Sequence, residues 1–90
     1  MKADRTKVLR LLKTVKGQIE GLIKMVEDDR YCIDISNQIL ASQSILKKIN
    51  LEILRGHFTH CLKNTIQHGS DTDIENSMDE ITDVLDKLLK

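Results

Sequence analysis

Proline and tryptophan are absent from this chain of 90 residues, glycine occurs four times, and Tyr31 and Phe58 are its only Tyr or Phe residues. Each shortage excludes something. With the residues that interrupt helices nearly missing, the composition points to a helical protein. Two aromatic rings give single-stranded nucleic acid no stacking platform, which argues against an RNA-binding sheet. No stretch approaches the roughly 20 apolar residues that span a bilayer, and no apolar core follows the first basic residues as in a secretory signal. The expectation is therefore a cytoplasmic protein with no membrane partner. No Gly-rich phosphate loop, nucleophile–base pair or Ser/His/Asp set is present, so an enzyme is not expected.

What the chain does contain is charge, at 31% of residues, with a formal net charge of zero that hides an asymmetry. Residues 1–69 carry 12 Lys/Arg against 7 Asp/Glu, whereas residues 70–90 carry 2 against 7. A neutral total thus leaves room for a basic surface that meets a polyanion. Ninety residues make a single domain, 1–90, and so short a chain buries only about 60 to 65% of its unfolded surface. Association is expected.

Val8, Leu11, Leu12, Val15, Ile19, Leu22, Ile23 and Val26 recur at steps of three, four and one, the pattern of one buried helical stripe. This predicts a first helix over about residues 5–28, capped by Asp4 or Thr6 and ended by the polar "EDDR". From Ile33 to Ile66 apolar residues continue at mostly helical spacing without a turn cluster, which predicts a second helix over about 32–67. Gly56 costs that helix about 1 kcal/mol relative to Ala and could loosen it without breaking it. Gly69 and Ser70 mark a loop, Asp71 or Asp73 can cap a third helix, and its stripe is Ile74, Met78, Ile81, Val84, Leu85 and Leu88. The expected fold is all-α: a three-helix protomer with a long antiparallel helical hairpin and a short C-terminal helix.

The chemistry-bearing residues gather in "RGHFTHC", residues 55–61. His57 and Cys61 are four apart, so they share a helix face one turn from each other and can ligate one ion. The other cysteine, Cys32, lies 29 residues from Cys61, roughly 44 Å along a continuous helix. One chain cannot join them. Pairing two copies of the second helix antiparallel can, because the start of one then lies beside the end of the other; symmetry makes two sites per dimer. Two thiolates and an imidazole suit Cu(I), which accepts three ligands, better than Zn(II), which usually takes four. His60 projects from a neighbouring face and reads as a bystander. The plain alternative is that each cysteine is a small buried hydrophobe in a helix.

"GQIEGLIKMVEDDRYCIDISNQI" together with "HFTHC" resembles the copper-sensing operon repressors, the CsoR-type branch of a family of small all-helical bacterial repressors. The resemblance covers about residues 8–89, and its most specific part is the triplet Cys32, His57 and Cys61. It implies a homodimer and a homotetramer assembled as a dimer of dimers. It further implies binding to double-stranded operator DNA when metal-free and release on binding Cu(I). Tyr31 and Glu80 match residues that surround the metal ligands, although the loop before Glu80 is longer than the family's. Nickel or cobalt sensors of this fold use a histidine near the N-terminus, where this chain reads "MKADR", and formaldehyde sensors use a proline where this chain has Lys2. Persulfide sensors keep both cysteines without the histidine; a thiol or persulfide sensor using Cys32 and Cys61 across the dimer is thus the alternative, and His57 separates the two.

Arg10, Lys13, Lys16 and Lys24 lie opposite the apolar stripe of the first helix, with Glu20 among them, and Lys47 and Lys48 lie on the second. In a tetramer such faces are repeated four times, enough for salt-dependent binding to phosphates. The expected DNA-contacting residues are Arg10, Lys13, Lys16 and Lys48, of which Lys13, Lys16 and Lys48 match basic positions of the family. Leu11 stands where copper repressors resembling this one often carry an arginine, with Arg10 beside it.

Overall fold

A computed structural model describes all residues, 1–90, as three helices: α1 (Arg5–Glu27), α2 (Cys32–His68) and α3 (Asp71–Leu88). The expected bounds hold to within about one residue. Helix α1 starts at Asp4, whose carboxylate accepts the Lys7 N–H at 3.1 Å. It ends in "EDDR" through a left-handed residue, Asp29 at φ 52°. The Arg30 N–H returns to the Met25 carbonyl and the Asp29 N–H to that of Val26. This is the paired bonding of a Schellman turn, with Asp in the position glycine usually takes. The third helix corrects one expectation: its cap is Ser70. The Ser70 hydroxyl accepts the Asp73 N–H while the Asp73 carboxylate accepts the Ser70 N–H, a capping box in which Asp73 is the reciprocal partner.

Helix α2 passes through Gly56 unbroken. The glycine answers to packing, because a Cβ there would lie 2.7 Å from the Ala3 Cα. The segment before α1 crosses α2 at this point, and Ala3 packs on the core behind it.

Helices α1 and α2 form the antiparallel hairpin, and α3 folds back on α2 alone, without touching α1. The result is a layer of 58 × 29 × 13 Å. Its thickness is close to one helix diameter of about 10–12 Å. Only six of 90 residues are buried, and the apolar core is Val8, Val15 and Ile49, with Leu11, Ile45 and Ile53 packed around it. Polar ties stitch the layer: Ser42 Oγ donates to Gln18 Oε1 at 2.7 Å, and Lys7 pairs with Glu52 at 3.4 Å. The hydroxyls of Thr65 and Ser77 meet at 3.4 Å between α2 and α3.

The protomer exposes 7186 Å², whereas a compact monomer of this mass exposes about 5,400 Å². Its radius of gyration is 18.0 Å, against about 12 Å for a compact chain of this length. Large apolar side chains are among what is exposed. Leu12, Ile19, Ile23 and Val26 on α1, Ile39 and Leu46 on α2, and Ile74, Met78 and Leu85 on α3 are all exposed.

With so small a core, one methylene-rich side chain carries a large share of the hairpin's packing. Ile49→Ala is expected to lower stability by about 2–4 kcal/mol, read as a shift in the urea unfolding midpoint at fixed protein concentration. A shift below about 0.5 kcal/mol, the range of ordinary surface substitutions, would show that Ile49 is not a core residue.

Candidate metal and nucleic-acid sites

Helix α2 decides where the cysteines lie. Cys32 is its first residue, exposed beside the exposed Tyr31 that precedes the helix, and Cys61 is half-buried in its last third. Because the helix is continuous, the two sulfurs are held at opposite ends of a rod. Within one protomer no three His, Cys, Asp or Glu side chains converge as a metal site.

His57 and Cys61 lie on the side of α2 that α3 approaches. His57 Nε2 donates to Glu80 Oε1 across 2.6 Å, linking α2 to α3, with both side chains about half exposed. A carboxylate only accepts hydrogen bonds, so Nε2 carries a proton, and in the neutral imidazole that leaves the lone pair on Nδ1 free. The Phe58 ring packs edge-on to the imidazole, with centroids 5.2 Å apart. His57 is thus presented with one nitrogen engaged and the other available as a ligand, one helical turn from the Cys61 sulfur. His60 turns elsewhere, to a depression that it lines with Lys2, Asp4 and Arg55.

The layer has two distinct sides. At about 100° per residue, Leu46 and Ile39 fall within about 20° of His57 around α2, and both are 43% exposed. The exposed Leu12, Ile19 and Ile23 flank the buried stripe of α1 on this same side. The opposite side is marked by the Lys7–Glu52 pair. Metal-ligand candidates and unpartnered apolar residues therefore share one broad face.

The four cations expected to meet DNA are all exposed, but they do not form a single patch. Arg10 turns toward the broad face marked by Lys7, Lys13 lies on the outer edge of α1, and Lys16, next after buried Val15, leans toward the apolar side. Lys48 lies on the Lys7 side of α2. Leu11 packs against the core cluster, so this position faces inward, and the cation standing at the surface is Arg10. Sequence inspection passed over Arg55 and Lys63. Their distance from Lys48, seven and fifteen residues along α2, is the signal that places the three on one side.

Comparison with known proteins agrees with this architecture. Residues 4–87 match the family described as metal-sensitive transcriptional repressor. The copper-sensing transcriptional repressor CsoR of Bacillus subtilis (strain 168) is 38% identical over 87 residues, covering 97% of this chain and 83% of that protein. Among solved structures, the Cu(I)-containing CsoR of Geobacillus thermodenitrificans NG80-2 superposes with a TM-score of 0.82 at 40% identity, covering 94% of this chain and 85% of that one. The nickel-responsive regulator InrS gives 0.81 at 25% identity, covering 97% and 94%. With nearly its whole length matched in sequence and in fold, the chain belongs to the metal-sensitive transcriptional repressors, a family of regulators and not of enzymes, and within them to the CsoR type.

Proposed function

We propose that this protein is a Cu(I)-responsive repressor that binds double-stranded operator DNA when metal-free and leaves it when Cu(I) is bound. The observation that carries the reading is the pair on α2, Cys61 one turn from a His57 whose Nε2 is held by Glu80. That hydrogen bond selects the tautomer with Nδ1 free and fixes the ring, which is how a carboxylate prepares a histidine ligand. The third donor is Cys32 of a second protomer, since α2 keeps the chain's own Cys32 too far away. Two thiolates and one imidazole fit a soft monovalent ion better than Ni(II) or Zn(II). The relatives at 38 and 40% identity are copper sensors, whereas the nickel regulator stands at 25%.

The excess surface supports the assembly this site requires. About 1,800 Å² per protomer beyond the compact-monomer expectation is ample for a stable dimer. An antiparallel pairing through the apolar face would bring each Cys32 to the other chain's His57 and Cys61, and two such dimers would form the tetramer. When bound, the ion would supply a cross-link between the two α2 helices. The protein's part is to turn that cross-link into a change in the relative placement of Arg10, Lys13, Lys16 and Lys48. By linkage, a metal that weakens DNA binding must itself bind the DNA-bound protein less tightly.

Gel shift under anaerobic conditions tests the reading directly. The metal-free protein is expected to retard a duplex that it enriches from a random pool, and Cu(I) at one equivalent per chain to release it; unchanged retardation in saturating Cu(I) would rule the proposal out. Subunit mixing tests the shared site. Cys32→Ser and Cys61→Ser homodimers should each lack intact sites, while the mixed dimer regains one of its two, read as Cu(I) retained against a competing chelator. No recovery on mixing would place all ligands in one chain. Glu80→Ala should keep the stoichiometry but weaken Cu(I) affinity by about 10- to 100-fold, and an unchanged affinity would remove Glu80 from the site.

A further inference from the structure

The broad face turned away from His57 and Cys61 carries cations that belong to no ion pair. Counting about 100° per residue from Arg55, Lys48 lies about 20° and Lys63 about 80° around α2, while His57 and Cys61 lie about 200° and 240° away. Between the segment before α1 and helix α2 this face dips into an open depression of about 430 Å³, where Lys2, Asp4, Glu52, Arg55 and Lys63 converge. Its cations outnumber its acids three to two, and one of the acids is shared with a further cation. The Asp4 carboxylate caps α1, and Glu52 pairs with Lys7 at 3.4 Å. Lys2, Arg55 and Lys63 are exposed and belong to none of the chain's three ion pairs, which are Lys7–Glu52, Lys24–Asp28 and His57–Glu80. Half of the chain's 14 acidic residues sit on α3, which meets α2 along another side and does not reach α1.

A few solvated lysines on a helix are ordinary. Here Lys48, Arg55 and Lys63 share one broad side of α2 over about 22 Å of its length, and Lys2 joins them from a separate segment. An excess of fixed positive charge over that length fits a regularly charged linear polyanion. B-form DNA presents one negative charge per about 1.7 Å of axis.

We propose that Lys2, Arg55 and Lys63, continuing Lys48, form a phosphate-contact surface for double-stranded DNA on the face of the protomer opposite the metal ligands. This rests on the DNA-binding reading above and deepens it. The duplex and the metal then occupy opposite sides of the same helix. Release cannot come from competition for the same side chains; it comes from a change in how the rows of neighbouring protomers line up.

The test is fluorescence anisotropy on a duplex enriched from a random pool by the metal-free wild type, titrated between about 50 and 200 mM salt. Arg55→Ala and Lys63→Ala are expected to weaken binding by about three- to thirtyfold and to flatten the dependence of log affinity on log salt by about 0.9 for each phosphate left unneutralised. Lys2→Ala should act the same way without altering α2, and Arg55→Lys should retain most of the affinity because charge is what the phosphate reads. Lys87→Ala, on α3, should leave both quantities unchanged, and every variant should still take up Cu(I) as the wild type does. Wild-type affinity and salt slope in Arg55→Ala, Lys63→Ala and Lys2→Ala would overturn the proposed surface while leaving the repressor reading intact. Failure of the wild type to enrich any duplex would instead sink the DNA-binding reading on which the surface depends.

Discussion

A single unbroken helix of 37 residues holds the two cysteines apart, and the rest of the fold is arranged along it. With Cys32 at one end of a rod and Cys61 near the other, one chain cannot bring both sulfurs to a single ion. The backbone hydrogen bonds of α2 are therefore a constraint on stoichiometry as well as on shape. Gly56, which could have weakened the rod beside His57, is accommodated because the backbone at Ala3 occupies the space a side chain would need.

The same rod organises the two sides of the layer. Helices α1 and α3 pack along different flanks of α2, and α3 borders one of the two faces left between them through the Glu80–His57 contact. One collects Ile39, Leu46, His57 and Cys61, and the other Lys48, Arg55 and Lys63. Apolar surface without a partner is expensive in water, at about 25 cal/mol per Å², whereas exposed cations are not. The two faces thus call for different neighbours, a protein on one and solvent or a polyanion on the other.

Much of this was legible in the residues. The spacing of Val8 to Val26 and the lack of proline placed α1 and α2 almost to the residue, and the i, i+4 relation of His57 to Cys61 followed from helix geometry alone. The capping of α3 was not legible, because Ser70, Asp71 and Asp73 are all competent caps and only the backbone path chooses among them. The pairing of His57 with Glu80 joins residues 23 apart through the packing of α3, which no periodicity encodes. Leu11 was readable from the stripe of α1 and packs against the core as that spacing implies. The seven-residue spacing of Lys48 and Arg55 is readable from the sequence, whereas the depression that Lys2, Arg55 and Lys63 line depends on where the segment before α1 crosses α2.

A layer 13 Å thick also sets how far a disturbance has to travel. In an ordinary globular domain, two surfaces facing opposite ways are separated by a packed interior that can absorb small strains by side-chain rearrangement. Here the two surfaces are the front and back of one helix, and the intervening material is its own backbone. A rotation or bend of α2 that adjusts His57 and Cys61 on one side moves Arg55 and Lys63 on the other by a similar amount, with no interior to damp it.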